Sequence, residues 1–162
     1  MHPVVNGILG NWIVSGVQRY QSGTPLGIGC GQNLFGAGNA RCSLVLGQPL
    51  LNPGWNPKDP ASPYINKNAF FQPANMVYGN LSSTIAQLRQ PMQLNEDLAI
   101  GKAFHIGSEK RTLEFRGSAF NLANRHLLGG LTTGLTSATF GQFSNPQTNQ
   151  PRNIEFHLRF SY

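Results

Sequence analysis

Over residues 153–162, Ile154, Phe156, Leu158, Phe160 and Tyr162 alternate without a fault with Glu155, His157, Arg159 and Ser161. Period two sends successive side chains to opposite faces of an extended strand, so one face is wholly apolar and the other charged. Residues 111–121 repeat the pattern, with Leu113, Phe115, Gly117 and Ala119 against Thr112, Glu114, Arg116 and Ser118. Residues 11–21 set Trp12, Val14, Gly16 and Tyr20 against Ile13, Ser15, Val17, Arg19 and Gln21, with Gln18 intruding on the apolar side. A fourth strand is predicted over residues 94–106, where Leu98, Ile100, Phe104 and Ile106 share a side with Glu96 and Lys102. Two charges on that side point to a bulge or an interfacial position.

The connections run long, short, long: residues 22–93, then 107–110, then 122–150. The first is dense in turn signals, among them Asn52-Pro53-Gly54, Asn56-Pro57, Asp59-Pro60 and Ser62-Pro63. A structureless loop of that length counts against a compact soluble domain, but long loops on one side and tight turns on the other are normal in transmembrane barrels. The fold class predicted is therefore all-β, an antiparallel segment of a transmembrane β-barrel of about four strands. The 107–110 turn is placed in the periplasm and both long loops, with a short strand near 43–46, outside the cell. No run approaches the roughly 18 to 20 apolar residues of a membrane-spanning helix, and residues 1–10 lack the basic start and apolar run of a signal peptide.

Composition fits this picture. Charged residues make up only 11% of the 162, against about 25% in ordinary globular domains. Polarity comes instead from 16 Asn, 11 Gln, 11 Ser and 8 Thr, beside 19 Gly and 11 Pro. Such a chain excludes helical bundles and coiled coils, while 10 Phe, 4 Tyr and 2 Trp argue against a disordered tail. Net charge is +6. The basic residues are scattered, however, with only Lys110 and Arg111 adjacent, so no nucleic-acid partner is expected.

Candidate chemistry is sparse. Cys30 and Cys42, without nearby histidines, suit a disulfide in an oxidising compartment better than a zinc site. His2, His105, His126 and His157 are dispersed, and neither the alternating Gly27, Gly29 and Gly31 nor any serine completes a nucleotide or nucleophile motif. Neither an enzyme nor a cofactor is expected. Glu114, Arg116, Glu155, His157 and Arg159 occupy the polar faces of the two best strands. They are candidates to line a water-filled lumen, the alternative being an ion-paired, solvated sheet face. Leu113, Phe115, Ile154, Phe156, Leu158 and Phe160 are the expected lipid-facing set, since Arg or Lys at mid-depth there costs about 2 to 4 kcal/mol. Trp55, Tyr64, Phe70 and Phe71 in the long loop are candidate ligand contacts, with loop packing as the favoured use of such rings.

These residues, taken in order, are familiar. Trp12 leads into Gln21-Ser22-Gly23-Thr24-Pro25, followed by Asn68-Ala69-Phe70, Tyr78-Gly79-Asn80-Leu81 and Leu88-Arg89 before Pro91. Asp97-Leu98 and Lys102 come next, then Phe115-Arg116, Ala119-Phe120-Asn121-Leu122 with Asn124, Phe140-Gly141, and Pro151-Arg152 before a strand ending in Phe160-Ser161-Tyr162. Nearly the whole chain resembles the carboxy-terminal part of TonB-dependent outer-membrane receptors of the Oar-like group, which carry a carboxypeptidase-regulatory-like domain. It departs from the pattern at Gln90, at Ala123 and at Arg125-His126. The resemblance implies a bacterial outer-membrane location and energy-coupled uptake of a bulky ligand. It also implies partners: outer-membrane lipid, the remaining strands and plug of a parent receptor, the TonB energy-coupling complex, and the barrel-assembly machinery reading Tyr162. On this view the chain is a fragment or truncated product, since four strands cannot close a barrel. A soluble β-sandwich binding carbohydrate or another ligand is the alternative.

Overall fold

A computed structural model describes residues 7–33, 39–107 and 111–162. Among them the strands are β1 (Trp12–Gln21), β2 (Pro25–Leu26), β3 (Gly29–Asn33), β4 (Asn39–Arg41), β5 (Ser43–Leu44) and β6 (Phe70–Phe71). They continue with β7 (Ile85–Arg89), β8 (Gln93–His105), β9 (Thr112–Phe120), β10 (Gly129–Leu131), β11 (Phe143–Asn145) and β12 (Asn153–Ser161). A 3-10 turn spans Lys67–Ala69. The chain divides into two compact units, residues 1–20, 94–125 and 149–162 in one and residues 21–93 and 126–148 in the other.

The first unit is one antiparallel sheet in the order β1-β8-β9-β12. Its strands of 10, 13, 9 and 9 residues suit the roughly 9 to 11 residues that a tilted strand needs to cross hydrocarbon. Pairing is continuous from Asn153↔Phe120 to Ser161↔Thr112 and from Leu98↔Ala119 to His105↔Thr112. On the other side, Ala103 N donates to Asn11 O at 3.2 Å, and Gly16 lies against Leu98 and the Asp97 carbonyl, so β1 runs antiparallel to β8. The unbroken β8–β9 register puts no bulge at Lys102, contrary to one of the two readings of its alternation.

Every long connection leaves or rejoins this sheet at one end, marked by Gln21, Gln93, Phe120 and Asn153. At the other end Ile106 N donates to Arg111 O at 2.9 Å, closing a hairpin, with Gly107 at φ 71° where a side chain would be strained. Ser108, Glu109 and Lys110 of the expected tight turn lie outside the described residues. Among the described residues, none of the buried apolar core belongs to this sheet. Phe115, Ile154, Phe156, Leu158 and Phe160 retain from 42% to 71% of their surface instead of converging on one another in a sealed interior.

The apolar core lies wholly in the second unit, around Ile28, Tyr64, Ile65, Phe70, Leu88 and Phe140. The two long connections predicted from the sequence are thus not structureless. The segments before β8 and after β9 build one body: Leu135 N donates to Gly29 O, Gly29 N to Thr133 O, and Tyr64 N to Gly141 O. Short antiparallel pairs β2–β7, β3–β4, β5–β6 and β10–β11 frame it. The abundant Asn is used at chain reversals, where a side-chain oxygen accepts from the amide two residues on: Asn52 from Gly54, Asn56 from Lys58, Asn66 from Asn68, Asn145 from Gln147. Gly23 and Gly79 pack so closely on the backbones of Gln90 and of Arg41 and Cys42 that no Cβ fits.

Cys30 and Cys42 form a disulfide with Cα atoms 5.4 Å apart, both within the core. Replacing both by Ser is expected to lower the stability of the second unit by about 3 kcal/mol, the chain-entropy value for a loop of this size. Denaturant unfolding followed by Trp55 fluorescence in a Trp12→Phe background measures it; an unchanged midpoint would show that the bridge is dispensable.

Candidate functional site

Strand pairing decides which charged side chains become neighbours. The register sets His157 opposite Arg116, Arg159 opposite Glu114, and Glu155 opposite Ser118, placing all five sequence-predicted lumen candidates on one face. Glu114, Arg116, His157 and Arg159 together line a concavity of about 260 Å³. Within it, Glu114 and Arg159 are opposite charges on directly paired positions of the β9–β12 ladder, an arrangement worth some tenths of a kcal/mol. His157 Nε2 lies 3.5 Å from Glu155 Oε2, and Asn153 donates from Nδ2 to Glu155 Oε1 at 2.9 Å. Strand β8 meets this face with Ala99, Gly101 and Ala103, opposite Ser118, Arg116 and Glu114. Those small residues leave the long side chains of β9 room to extend.

The opposite face pairs Phe156 with Gly117, Leu158 with Phe115 and Phe160 with Leu113. Phe156 stacks on Phe115 at 5.8 Å and 18° while its ring also covers Gly117, so the glycine leaves space that a neighbouring ring fills. Tyr162 is 97% exposed just beyond β12 and stacks on Phe160 at 6.2 Å.

Sequence reasoning missed a polar knot at the long-connection end of the sheet. Arg125 binds Glu96 with two hydrogen bonds, 3.0 and 3.3 Å. The Glu96 carboxylate, first by that hydrogen bonding and then by its charge, holds the guanidinium above its ordinary pKa. Asp97 Oδ1 accepts from Asn121 N at 2.8 Å. The Asn121 side chain donates to Arg125 O and Gln150 O and accepts from Arg125 N. Asn121 and Asn124 both adopt positive φ, 50° and 51°, a conformation Asn tolerates better than most residues, and Asn124 Oδ1 accepts from Arg152 N. The signal was present in Asn121-Leu122-Ala123-Asn124, but nothing local identifies Asp97 or Gln150 as its partners.

The four aromatic loop candidates separate. Tyr64 and Phe70 are buried core side chains and unavailable to a ligand, a correction whose cause is packing: Tyr64 lies edge-on to Trp55 at 4.7 Å and Phe70 edge-on to Phe140 at 6.3 Å. Phe71, next along β6, points away from that core and is exposed. Trp55 is half-buried and lines a cleft of about 140 Å³ with Met92, His126 and Leu128. Among the described residues no three His, Cys, Asp or Glu side chains gather as a metal site requires; His2 lies outside them. No helix among the described residues is long and apolar enough to cross a membrane, a test that does not address strands.

A single sheet with one apolar and one charged face, open at both edges among the described residues and with every long connection at one end, has the form of a segment of a β-barrel wall. The chain belongs to the outer membrane beta barrel domain family, whose model matches residues 1–155. Searches of curated proteins and of solved structures each returned no match. Membership fits an outer-membrane location.

Tyr64 also supplies a pH test. Its hydroxyl donates to Arg89 O at 2.6 Å, and burial pushes the phenol above its ordinary value of 10.0. A phenol whose folded pKa exceeds the unfolded one stabilises fully below the unfolded value and loses that contribution as pH rises through the folded one. The second unit is therefore expected to lose stability as pH climbs above 10. Tyr64→Phe should remove that dependence while costing about 1 kcal/mol at neutral pH for the lost hydrogen bond. Parallel alkaline titrations of thermal unfolding for the two proteins would contradict the assignment.

Proposed function

We propose that this chain is the carboxy-terminal barrel segment of a TonB-dependent outer-membrane receptor of the Oar-like group, taking up a bulky ligand. The observation that carries the reading is the two-faced sheet: an open apolar face beside a charged one, with all long connections at a single end. Outer-membrane family membership supports it, and so does the ordered set of residues from Trp12 to Tyr162 that resembles those receptors. Leu113, Phe115, Ile154, Phe156, Leu158 and Phe160 then face lipid, and Glu114, Arg116, Glu155, His157 and Arg159 face the water-filled interior. Tyr162 is the residue read by the barrel-assembly machinery. The Cys30–Cys42 bridge sits in an extracellular unit, where oxidising conditions keep it closed. Further strands and a plug from a parent receptor complete the barrel, and the TonB complex energises uptake through that parent.

Face assignment is tested by two substitutions in the intact receptor. Phe156→Arg puts a cation at mid-depth on the lipid side, a penalty of about 2 to 4 kcal/mol, which corresponds to a loss of about 30-fold or more. Arg159→Gln on the other side should leave recovery within twofold, roughly the scale of a solvent-exposed ion pair. Quantifying receptor in the outer-membrane fraction decides it, and equal effects overturn the assignment. Capture of the detergent-extracted receptor by the periplasmic domain of the energy-coupling protein tests TonB dependence, which absence of capture would remove.

A further inference from the structure

Lys102 lies on the apolar face, in register with Phe115, which in turn pairs with Leu158. It is nevertheless only 6% exposed, on a sheet whose neighbouring apolar side chains stand open. What covers it is the backbone leading into β1. Gly7, Ile8 and Leu9 have helical backbone, and Lys102 Nζ donates to Ile8 O at 2.7 Å and to Gly10 O at 3.1 Å. Backbone carbonyls accept readily from an ammonium, which carries three donors. The Trp12 indole Nε1 donates to the same Ile8 O at 2.9 Å. The ammonium lies 4.5 Å from the Trp12 ring centroid and 5.3 Å from that of Phe104, within cation–π range. Two carbonyls and two rings thus surround the charge in place of water, while Ile8 and Leu9 present their side chains outward, 62% and 68% exposed.

We propose that residues 7–12 form an interfacial membrane anchor, clamped by Lys102 to the apolar face at the hairpin end of the sheet. Ile8, Leu9 and the Trp12 ring sit at the boundary between headgroups and acyl chains of a phospholipid leaflet. This rests on the reading that the apolar face meets lipid. The occupant is lipid because the surface is aliphatic and aromatic, its indole N–H is already bonded, and it continues into Phe104 and Phe115 on the lipid-facing side. Lys102 stands level with Leu158, and its ammonium is held by the Ile8 and Gly10 carbonyls, which precede β1 at the hairpin end of the sheet, where aromatic rings concentrate in such barrels. The clamp also explains how a lysine stands on an otherwise uncharged stretch of the face without a carboxylate beside it.

Nitroxide labels at Leu9→Cys and, separately, Phe156→Cys in the intact receptor, reconstituted in dioleoylphosphatidylcholine vesicles, report depth by collision with oxygen against a water-soluble nickel chelate. The label at position 9 should favour oxygen about threefold over its value in water, as at an interfacial depth of about 5 to 10 Å, and the label at 156 should favour it more strongly still. Adding Lys102→Met should return the position 9 label to the aqueous value without moving the label at 156, whereas Lys102→Arg, which keeps the cation, should hold it in place. A label at 156 that favours oxygen beside one at 9 that collides freely with nickel overturns the anchor alone. A label at 156 exposed to nickel overturns the lipid-facing assignment and the anchor with it. An unchanged position 9 depth in Lys102→Met overturns the clamp.

Discussion

In hydrocarbon no water remains to satisfy a backbone amide, so a strand can lie there only if its neighbours supply every hydrogen bond. The sheet of this chain meets that demand on three ladders, β1–β8, β8–β9 and β9–β12, and leaves it open at the outer edges of β1 and β12. Those edges belong to strands of 10 and 9 residues, each unpaired group costing several kcal/mol if it were left in lipid. Pairing with further strands removes that cost, whichever polypeptide supplies them. On the proposed reading the same solvent accounts for the exposed rings of β9 and β12: a soluble sheet buries one face against another layer, and lipid takes that layer's place.

Stability therefore has two separate sources in one chain. The sheet draws on ladder hydrogen bonds, cross-strand pairs such as Phe115 with Phe156, and the surroundings of its apolar face. The second unit has a closed core of its own, a disulfide and a dense set of side-chain to backbone bonds, so it needs nothing from a membrane. This division also explains the low charge content. One face of β9 and one face of β12 carry no charge, and in the second unit amide side chains satisfy many of the turns.

What the sequence revealed follows from how local each signal is. The strands β9 and β12 were legible because each side chain's surroundings are decided by its parity alone, and their alternation has no exception. For β1 and β8 the signal is blurred by Gln18, Glu96 and Lys102, and the structure shows two of the causes. Glu96 is paired with Arg125, 29 residues on, and Lys102 donates to carbonyls more than 90 residues earlier. The second unit was illegible as a folded body, because its closure depends on contacts such as Gly29 with Leu135 that no window of sequence contains. Of the site residues, the charged set on β9 and β12 could be grouped from parity before any register was known. Tyr64 and Phe70 could not be separated from Phe71, since an aromatic residue in an Asn-rich loop reads the same whether it plugs a core or stands free.

The residues that carry the resemblance to the receptors mostly hold the chain at its reversals. Gly23 and Gly79 allow backbones to touch where a Cβ would collide, and Arg89 Nε ties the carbonyl of Gly23. Asn80 accepts from Leu44 N, and Asn121 and Asn124 hold left-handed turns at the end of β9. Each acts on backbone geometry, which is indifferent to what a surface binds. The side chains of Leu46 and Phe71, by contrast, remain exposed, so a frame fixed by glycine and asparagine constrains the backbone without drawing on such outer side chains.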